Sequence, residues 1–189
     1  MSTRVVLGIA GASGAALGLS VARQLADLGV QVDLVTSKAA ARTLTTECGP
    51  NAIESLHKSV SRVHPIEDIG ATIASGSTPV AGMIVAPCSM RSLAAIAIGL
   101  DDNLLTRAAG VQLKERRKLV LMAREAPLTL AHLRNMTRAT EMGAIILPPV
   151  PAFYLAPHSI TEITDQIAAR AIDLLAISKP IAKAWDQLG

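Results

Sequence analysis

The chain has little of several features that mark common classes of protein. Aromatic residues make up only 2% of its 189 residues, and all three, Phe153, Tyr154 and Trp185, lie in the last quarter. They are therefore not the main filler of a core, which must consist of Ala, Val, Ile and Leu. With 50% hydrophobic and 17% charged residues, the composition is that of a folded protein and not of a disordered one.

Cysteine is scarce as well, and the two residues, Cys48 and Cys88, are far apart in sequence. This argues against a disulfide scaffold or a zinc site and fits a reducing, cytoplasmic compartment. The start of the chain lacks a signal-peptide pattern, and no uninterrupted apolar run is long enough to span a membrane. The histidines show no metal-ligand spacing, so no metal site is expected. We place them at the surface or at helix ends: His57, His64, His132 and His158.

The excess of positive over negative charge is also small. The net charge is +3, and there is no basic run with interleaved aromatic residues, so the chain is a poor candidate for binding nucleic acid. Basic residues do concentrate between Arg107 and Arg124, in an anion site or on a solvated helix face. Arg107 and Lys114 lie seven residues apart on one predicted helix, where they could converge on one phosphate.

Short apolar runs alternate with helical patterns along the chain. We predict strands at RVVLGIAG, VQVDLVTS, AGMIVAPCS, KLVLMAR and AIILPPV, with helices between them and a last helix at SITEITDQIAARAIDLLAI. Because the strands are almost wholly apolar, they predict an α/β fold, a doubly wound parallel sheet covered on both faces. We expect one domain over residues 1–189, with a short helix near Ala52 to Ser59 and a loop at ASGSTP.

The first predicted strand ends in a glycine-rich loop, GIAGASGAALG at residues 8–18. Its G-x-x-G-x-x-G spacing matches neither the dinucleotide fingerprint nor the Walker loop, so NAD and ATP are not supported. A glycine turn into a helix N-terminus still offers backbone N–H groups to an anion. Ser13 could add a donor to a bound phosphate or ring, or could only cap the helix. The motif is not that of a hydrolase nucleophile.

Polar residues follow other predicted strands too, and ligands bind at this edge of a parallel sheet. Ser89 and Ser92 in CSMRS form a second hydroxyl-lined seat for an anion, or they cap a helix. Arg124 and Glu125 end another strand. Arg124 could bind a phosphate while Glu125 transfers a proton, or the two could form a solvated ion pair that contributes little free energy.

An ordered series of blocks carries a resemblance that runs from about Arg4 to Trp185. The blocks are GASGA, TSKAA followed by TE, ASGS, APCS, LKERR, LVLMAREAPL, HLRNM, GAIILPPVPAFY and AAR. In this series the chain closely resembles the UbiX-type flavin prenyltransferases. The resemblance implies a Rossmann-like flavoprotein that assembles as a dodecamer with FMN at subunit interfaces. We expect the C-terminal helix and tail, residues 159–189, to contribute to the active site or to oligomer contacts.

The resemblance also implies a reaction and its partners. A dimethylallyl group would pass from dimethylallyl monophosphate to N5 and C6 of reduced FMN, without a metal. The product, prenylated FMN, would be the cofactor of a UbiD-type decarboxylase. Two other functions remain open: an FMN-dependent decarboxylase related to the cysteine decarboxylases, and a non-catalytic FMN carrier or accessory subunit.

Family roles carry over to individual residues of this chain. The implied flavin contacts are Gly11, Ala12, Ser13, Ser37, Ser89, Met90, Arg91, Ser92 and Arg124. The implied prenyl-phosphate site consists of Arg107, Lys114, Arg124, Tyr154, Arg170 and Trp185. The implied catalytic residues are Ser13, Glu47, Lys114, Glu125 and Tyr154. Among them, Ser13 is expected to hydrogen-bond near N5. Glu125 or the released phosphate would take the proton from C6, and Glu47 would assist at N5.

Two positions depart from the family pattern. Thr78 stands where relatives often carry an aromatic residue, which could loosen the prenyl pocket or alter the accepted chain length. Arg91 stands where lysine or a small residue is also found. No catalytic block is missing. The complete set of Lys114, Arg124, Glu125, Tyr154 and Arg170 favours the prenyltransferase over the decarboxylase, whereas a carrier would bind flavin without turnover and is distinguished by a prenyl-transfer assay.

Overall fold

The computed structural model describes residues 3–185. Its strands are β1 (Arg4–Ile9), β2 (Gln31–Thr36), β3 (Arg62–His64), β4 (Gly82–Cys88), β5 (Lys118–Ala123) and β6 (Ile145–Ile146). Its α-helices are α1 (Ala15–Asp27), α2 (Lys38–Cys48), α3 (Ala52–Lys58), α4 (Met90–Ile98), α5 (Leu104–Lys114), α6 (Leu130–Glu141) and α7 (Ile160–Asp173). Short 3-10 helices lie at Thr72–Ala74 and Phe153–Leu155.

The strands form one parallel sheet in the order β3-β2-β1-β4-β5-β6. The predicted doubly wound α/β fold is therefore confirmed. β1 lies between β2 and β4, so the strand order changes direction at β1 and β4. A crevice opens at such a switch point, outside the carboxyl ends of the strands, and it is the usual ligand site of this fold.

Two apolar layers, one on each face of the sheet, hold the helices in place. Alternate residues of β1 divide between them: Leu7 packs in the layer that holds α1 and α7, and Val6 in the layer that holds α4 and α5. Side chains in both layers are almost entirely aliphatic. Phe153 and Trp185 are 76% and 71% exposed, which confirms that the core does not depend on aromatic residues.

Helix α1 lies unusually close to the sheet. A Cβ atom on Gly18 would come within 2.6 Å of the carbonyl oxygen of Ala86 in β4, so only glycine fits at that crossing. On its outer side α1 contacts α7, where Ser20 and Arg23 donate hydrogen bonds to the carboxylate of Asp165 at 2.6 and 2.7 Å. These contacts fix α7, and the chain that follows it, relative to the sheet.

The structure departs from the sequence expectations at three places. The short helix near residue 52 is confirmed as α3, but β3 has no counterpart among the expected strands, because it is only three residues long and starts with exposed side chains. The last strand is shorter than AIILPPV, since Pro148 and Pro149 cannot donate ladder hydrogen bonds. The expectation of a surface position for His64 is wrong, because this residue is buried.

Burial of His64 is explained by its partner. Its Nε2 atom lies 2.8 Å from Oδ1 of Asp33, which is itself buried in β2 and also pairs with Arg4. A buried carboxylate needs such partners, and the imidazole is one of them. Within residues 3–185, no helix has both the length and the apolar character needed to cross a bilayer.

Candidate active site

A cleft of about 500 Å³ opens at the carboxyl edge of the sheet, and we call it the edge cleft. Its lining residues are Gly11, Ser37, Lys38, Ala39, Ile66, Glu67, Ser89, Arg91, Ser92, Asp102, Asn103 and Leu105. Five of the residues expected to contact a flavin are among them. They come from the ends of β1, β2 and β4, so the fold joins three segments that are far apart in sequence.

The serines of the edge cleft also start helices. The Ser37 hydroxyl accepts a hydrogen bond from Ala40 N at 3.2 Å at the start of α2. The Ser89 hydroxyl accepts one from Ser92 N at 3.3 Å at the start of α4. The capping interpretation of Ser89 is thus confirmed, and it does not compete with a place in the cleft. A hydroxyl carries one donor and two acceptor positions, so a cap leaves capacity for a ligand.

Gly11 sets the spacing between the first loop and α2. A Cβ atom at this position would lie 2.3 Å from the Cβ of Ala39, a distance that real carbon atoms do not reach. Any side chain on residue 11 would therefore push away the start of α2, including its cap Ser37. The glycine is required by this close approach and not by its backbone angles.

The N-terminus of α1 holds an anion from within the chain. Glu47, near the end of α2, accepts hydrogen bonds from the backbone N–H groups of Gly14 and Ala15, each at 2.8 Å. The cap residue of α1 is Gly14, which has no side chain, so the alternative that Ser13 caps this helix is wrong. The Ser13 side chain instead hydrogen-bonds to the Glu47 carboxylate. Two of the N–H donors expected for an external anion are thus taken by Glu47.

This environment keeps Glu47 ionised. Desolvation would raise the pKa of its carboxyl group, but the two N–H groups of the α1 turn and the Ser13 hydroxyl act against it. Together with the positive charge of Arg124, they hold the pKa of Glu47 below its ordinary value. At neutral pH Glu47 is therefore a fixed negative charge beside Ser13 and a weak proton acceptor.

Arg124 and Glu125 follow β5 at the same edge of the sheet. The backbone N–H of Arg124 donates to the carbonyl of Cys88 at 3.1 Å, which fixes the loop beside β4. Within the part of the chain that the structure describes, the Glu125 carboxylate accepts a hydrogen bond only from the adjacent N–H of Ala126, at 3.1 Å. Among residues 3–185 neither side chain forms an ion pair, so the two do not neutralise each other. Both charged groups are exposed and open to a ligand.

Arg107 and Lys114 lie along α5 and flank a different loop, at Ala74 to Thr78. Arg107 donates to the carbonyl of Ala74 at 3.3 Å and pairs with Asp101 at 3.0 Å. Lys114 pairs with Glu115. The two cations therefore adjoin the same loop, but in this structure each has its own acidic partner.

Lys114 and the edge cleft lie at opposite ends of α5. Asn103 and Leu105, at the start of this helix, line the cleft. The helix has 11 residues and is about 16 Å long, and Lys114 is its last residue. Lys114 is thus separated from the edge cleft within one protomer.

Position 78 belongs to the loop beside Lys114. The Thr78 hydroxyl donates to the carbonyl of Thr72 at 2.6 Å, so its side chain turns back on its own loop. Arg117 donates to the carbonyls of Thr78 and Gly76, at 2.9 and 2.6 Å. These bonds hold the loop in one conformation without an aromatic side chain.

A second cleft, of about 360 Å³, lies between α7 and the chain that follows it, and we call it the tail cleft. Tyr154 and Arg170 line it, and the Tyr154 ring meets the Trp185 ring edge-on, with centroids 4.8 Å apart. Arg170 forms no ion pair with any residue between 3 and 185, so its guanidinium is open to an anion. The tail cleft and the edge cleft share no lining residue.

Other details of the edge cleft do not follow from the motifs. Met90 packs against the core and Ala12 is half-buried in its turn, so neither is among the lining residues. At the mouth, Lys38 pairs with Glu67 at 2.9 Å, and Arg91 pairs with Asp102. The sequence alone assigned no role to Lys38, Glu67 or Asp102. Of the three, only Lys38 is marked by its position in the sequence, directly after Ser37 at a strand end.

Comparison with known proteins decides the family. A family model described as Flavoprotein matches residues 1–181. Flavin prenyltransferase UbiX of Thauera aromatica is 48% identical over 182 residues, which is 96% of this chain and 93% of that protein. The chain belongs to the UbiX family of flavin prenyltransferases.

Solved structures agree with this UbiX assignment. AnUbiX, in a complex with FMN and dimethylallyl pyrophosphate, has a TM-score of 0.94 and 44% identity, and the match covers 98% of both chains. A dodecameric FMN-dependent UbiX-like decarboxylase from Escherichia coli O157:H7 has a TM-score of 0.92 and 41% identity, covering 97% of this chain and 99% of that one. The cysteine decarboxylase TvaF, at 18% identity and a TM-score of 0.64, shares the fold alone, over 93% of this chain and 99% of its own.

Proposed function

We propose that the protein is a flavin prenyltransferase, which transfers a dimethylallyl group from a dimethylallyl phosphate to reduced FMN. Family membership is one support. The observation that carries the proposal is the second cleft, where Arg170 has no acidic partner among the described residues and lies with Tyr154. A protein that only carried FMN would need the edge cleft and would have no use for an open arginine beside a tyrosine in another cleft.

The edge cleft fits FMN by the chemistry of its lining. Ile66 and Leu105 offer apolar surface to a ring system, and the serine hydroxyls at the starts of α2 and α4 offer donors to a single phosphate. Lys38 and Arg91 add positive charge at the mouth. When bound, reduced FMN supplies the N5 and C6 atoms that receive the prenyl group.

Ser13 is proposed as the residue that contacts the flavin near N5. Its hydroxyl donates to the Glu47 carboxylate, which leaves the oxygen lone pairs as acceptors for a ring N–H. Glu47 in turn is fixed by the two N–H groups at the start of α1. Because its pKa is lowered, Glu47 acts through its charge and its hold on Ser13. The role expected for it at N5 is therefore orientation and not proton transfer.

Glu125 is the proposed base for the proton lost from C6. Its carboxylate is exposed and, among the described residues, is bonded only to the backbone N–H of Ala126, so it can reach toward a ligand at the edge of the sheet. Phosphate released from the substrate is a second acceptor for the same proton. Arg124, whose guanidinium forms no ion pair among residues 3–185 and whose charge acts on Glu47, is the neighbouring cation that would hold either the flavin or that phosphate.

The prenyl phosphate is proposed to bind through cations and a hydroxyl. Arg170 and Tyr154 in the tail cleft, with Lys114 and Arg107 from α5, would hold the departing phosphate as negative charge develops on it. Fixed positive groups stabilise such a charge without a metal ion. In residues 3–185 no cluster of three or more His, Cys, Asp or Glu side chains is arranged to hold a metal.

The edge cleft, the tail cleft and the end of α5 lie apart in one protomer. We propose that they meet between subunits of a homo-oligomer, of the dodecameric type described for the UbiX-like relative. Each subunit would then supply the flavin cleft of one site and prenyl-phosphate residues of another. The proposed consumer of the product is a UbiD-type decarboxylase.

The test is anaerobic incubation of the full-length protein with reduced FMN and dimethylallyl monophosphate, followed by mass spectrometry of the flavin. We expect a flavin heavier by one dimethylallyl unit. A parallel reaction with dimethylallyl pyrophosphate measures which phosphate is preferred. Flavin that binds but gains no mass from either donor would overturn the proposal and favour a carrier.

A further inference from the structure

The chain after α7 is held against that helix by two side chains. Gln166 forms a pair of hydrogen bonds with the backbone of Lys183: its Nε2 donates to the carbonyl at 3.0 Å, and its Oε1 accepts from the N–H at 3.1 Å. Asp173 accepts from the N–H of Ile181 at 2.8 Å and of Ala182 at 3.1 Å. We call residues 181–185 the tail segment.

Asp173 stands where a helix disfavours an acid. It is the last residue of α7, at the negative end of the helix dipole, where a carboxylate is destabilising. The two N–H donors of the tail segment compensate for this position. Asp173 is also three residues from Arg170 and forms no ion pair with it, so the tail segment occupies the carboxylate and Arg170 stays open.

Hydrogen bonds, more than burial, hold the tail segment in place. Ile181 is 39% exposed and Trp185 is 71% exposed, so little apolar surface anchors either end. The four bonds from Gln166 and Asp173 fix three consecutive residues of backbone at 181–183. This is the stretch that leads directly into Trp185.

The tail segment forms part of the wall of the tail cleft. Ala182 and Lys183 line that cleft with Tyr154 and Arg170. At its end, the Trp185 ring meets the Tyr154 ring at 71°, with centroids 4.8 Å apart. The position of the tail segment therefore decides both the shape of the cleft and the support behind the tyrosine.

We propose that Gln166 and Asp173 are positioning residues for prenyl transfer. They fix the tail segment so that Trp185 supports Tyr154 and the cleft closes around the prenyl phosphate. The identity of the substrate rests on the proposed function. The positioning of Tyr154 by the tail segment rests on the geometry alone and can be measured without turnover.

The chain carries its own probe for this contact. Tyr154 and Trp185 are its only tyrosine and its only tryptophan. In the flavin-free full-length protein, Tyr154 should transfer its excitation energy to the adjacent Trp185, so that tyrosine emission is low and the light is emitted by tryptophan. Gln166→Ala and Asp173→Ala should raise the tyrosine emission and make Trp185 more accessible to acrylamide. Thr161→Ala, exposed on the same helix, is the matched control and should change neither signal.

Kinetics give the second measurement. We expect Gln166→Ala to raise KM for dimethylallyl monophosphate about tenfold, because two hydrogen bonds to the cleft wall are lost. KM for FMN should stay near that of the original protein, since the edge cleft contains neither residue. In a Trp185→Ala background, Gln166→Ala should add little, because both act through the same contact. Asp173→Asn keeps one acceptor and the size of the side chain, so its effect on KM and on tyrosine emission should be smaller than that of Asp173→Ala.

Unchanged tyrosine emission together with an unchanged KM for the prenyl phosphate in Gln166→Ala would overturn the inference. Equal rises in KM for both substrates would also overturn it, because they would indicate a general loss of structure. If Asp173→Ala does not fold, Asp173→Asn gives the same comparison with a smaller expected effect. An original protein that transfers no prenyl group would refute the proposed function, and the tyrosine emission would still decide the role of Gln166 and Asp173.

Discussion

The edge cleft and the tail cleft are built in different ways. The edge cleft is made of strand ends and helix starts, and its hydroxyls already satisfy the backbone as caps. The tail cleft is made of one helix face and a short segment, and its principal cation, Arg170, is exposed and has no ion-pair partner among residues 3–185. The first cleft is thus part of the fold itself, as suits a flavin site, whereas the second is suited to a substrate that arrives and leaves.

The largest effect is expected from a change at Gly11, which sets the spacing between the first loop and α2 in the edge cleft. Gly11→Ala would force a Cβ atom against Ala39, so the first loop or the start of α2 must move. We expect loss of FMN from the purified protein, measured by flavin absorbance. Gly70→Ala is the control, because the nearest atom to its Cβ would be 3.7 Å away in an exposed side chain. Normal flavin content in Gly11→Ala would show that the cleft does not depend on this approach.

The next effect separates the two clefts. Arg170→Ala removes a charged donor from the tail cleft, and charged hydrogen bonds contribute about 1.5–3 kcal/mol. KM for the prenyl phosphate should rise roughly ten- to a hundredfold, with FMN affinity unchanged. Arg170→Lys should recover part of the loss. An equal loss of FMN affinity in Arg170→Ala would contradict the division of roles between the clefts.

A smaller effect concerns Glu47, whose carboxylate is bound at the N-terminus of α1. Glu47→Gln removes the charge at the start of α1 and should lower the free energy of unfolding by about 1 kcal/mol at neutral pH. Because the folded pKa of Glu47 lies below the ordinary 4.5, its stabilisation is present above that pH and is lost as pH falls through the lowered value. The difference between the variant and the original protein should therefore shrink in acid.

Urea unfolding at several pH values measures this difference. Glu141→Gln, on an exposed residue at the end of α6 without a partner among residues 3–185, is the control and should show no such trend. A Glu47→Gln penalty that grew in acid would contradict the lowered pKa.

The smallest effect concerns the mouth of the edge cleft. Asp102→Asn releases Arg91 from its exposed ion pair, and such pairs contribute at most about 1 kcal/mol. FMN should bind two- to threefold tighter, and the gain should disappear at high salt, as titration by flavin fluorescence would show. Weaker binding would place Asp102 itself among the flavin contacts.

Sequence could predict the sheet and the strand-end serines because both follow from local pattern. Apolar runs and the turn residues that bound them define β1, β2, β4 and β5. Because these strands are parallel, their carboxyl ends meet at one edge of the sheet. The bond from Glu47 to the start of α1 could not be predicted, because it joins residues 33 positions apart and no spacing rule marks it. For the same reason the sequence could not identify Asp33 as the partner of His64. The hydrogen bonds from Gln166 to the tail segment also follow no sequence motif.

The central claim is that the edge cleft of one subunit works with the tail cleft of another. It is tested most directly by co-expressing Arg124→Ala and Arg170→Ala and assaying prenyl transfer by the mixed oligomer. Both arginines are exposed, and neither forms an ion pair among residues 3–185. We predict that, with dimethylallyl monophosphate held well below the raised KM of Arg170→Ala, each variant alone shows little activity and the mixed oligomer regains activity. A mixed oligomer no more active than the two separate variants would contradict the claim.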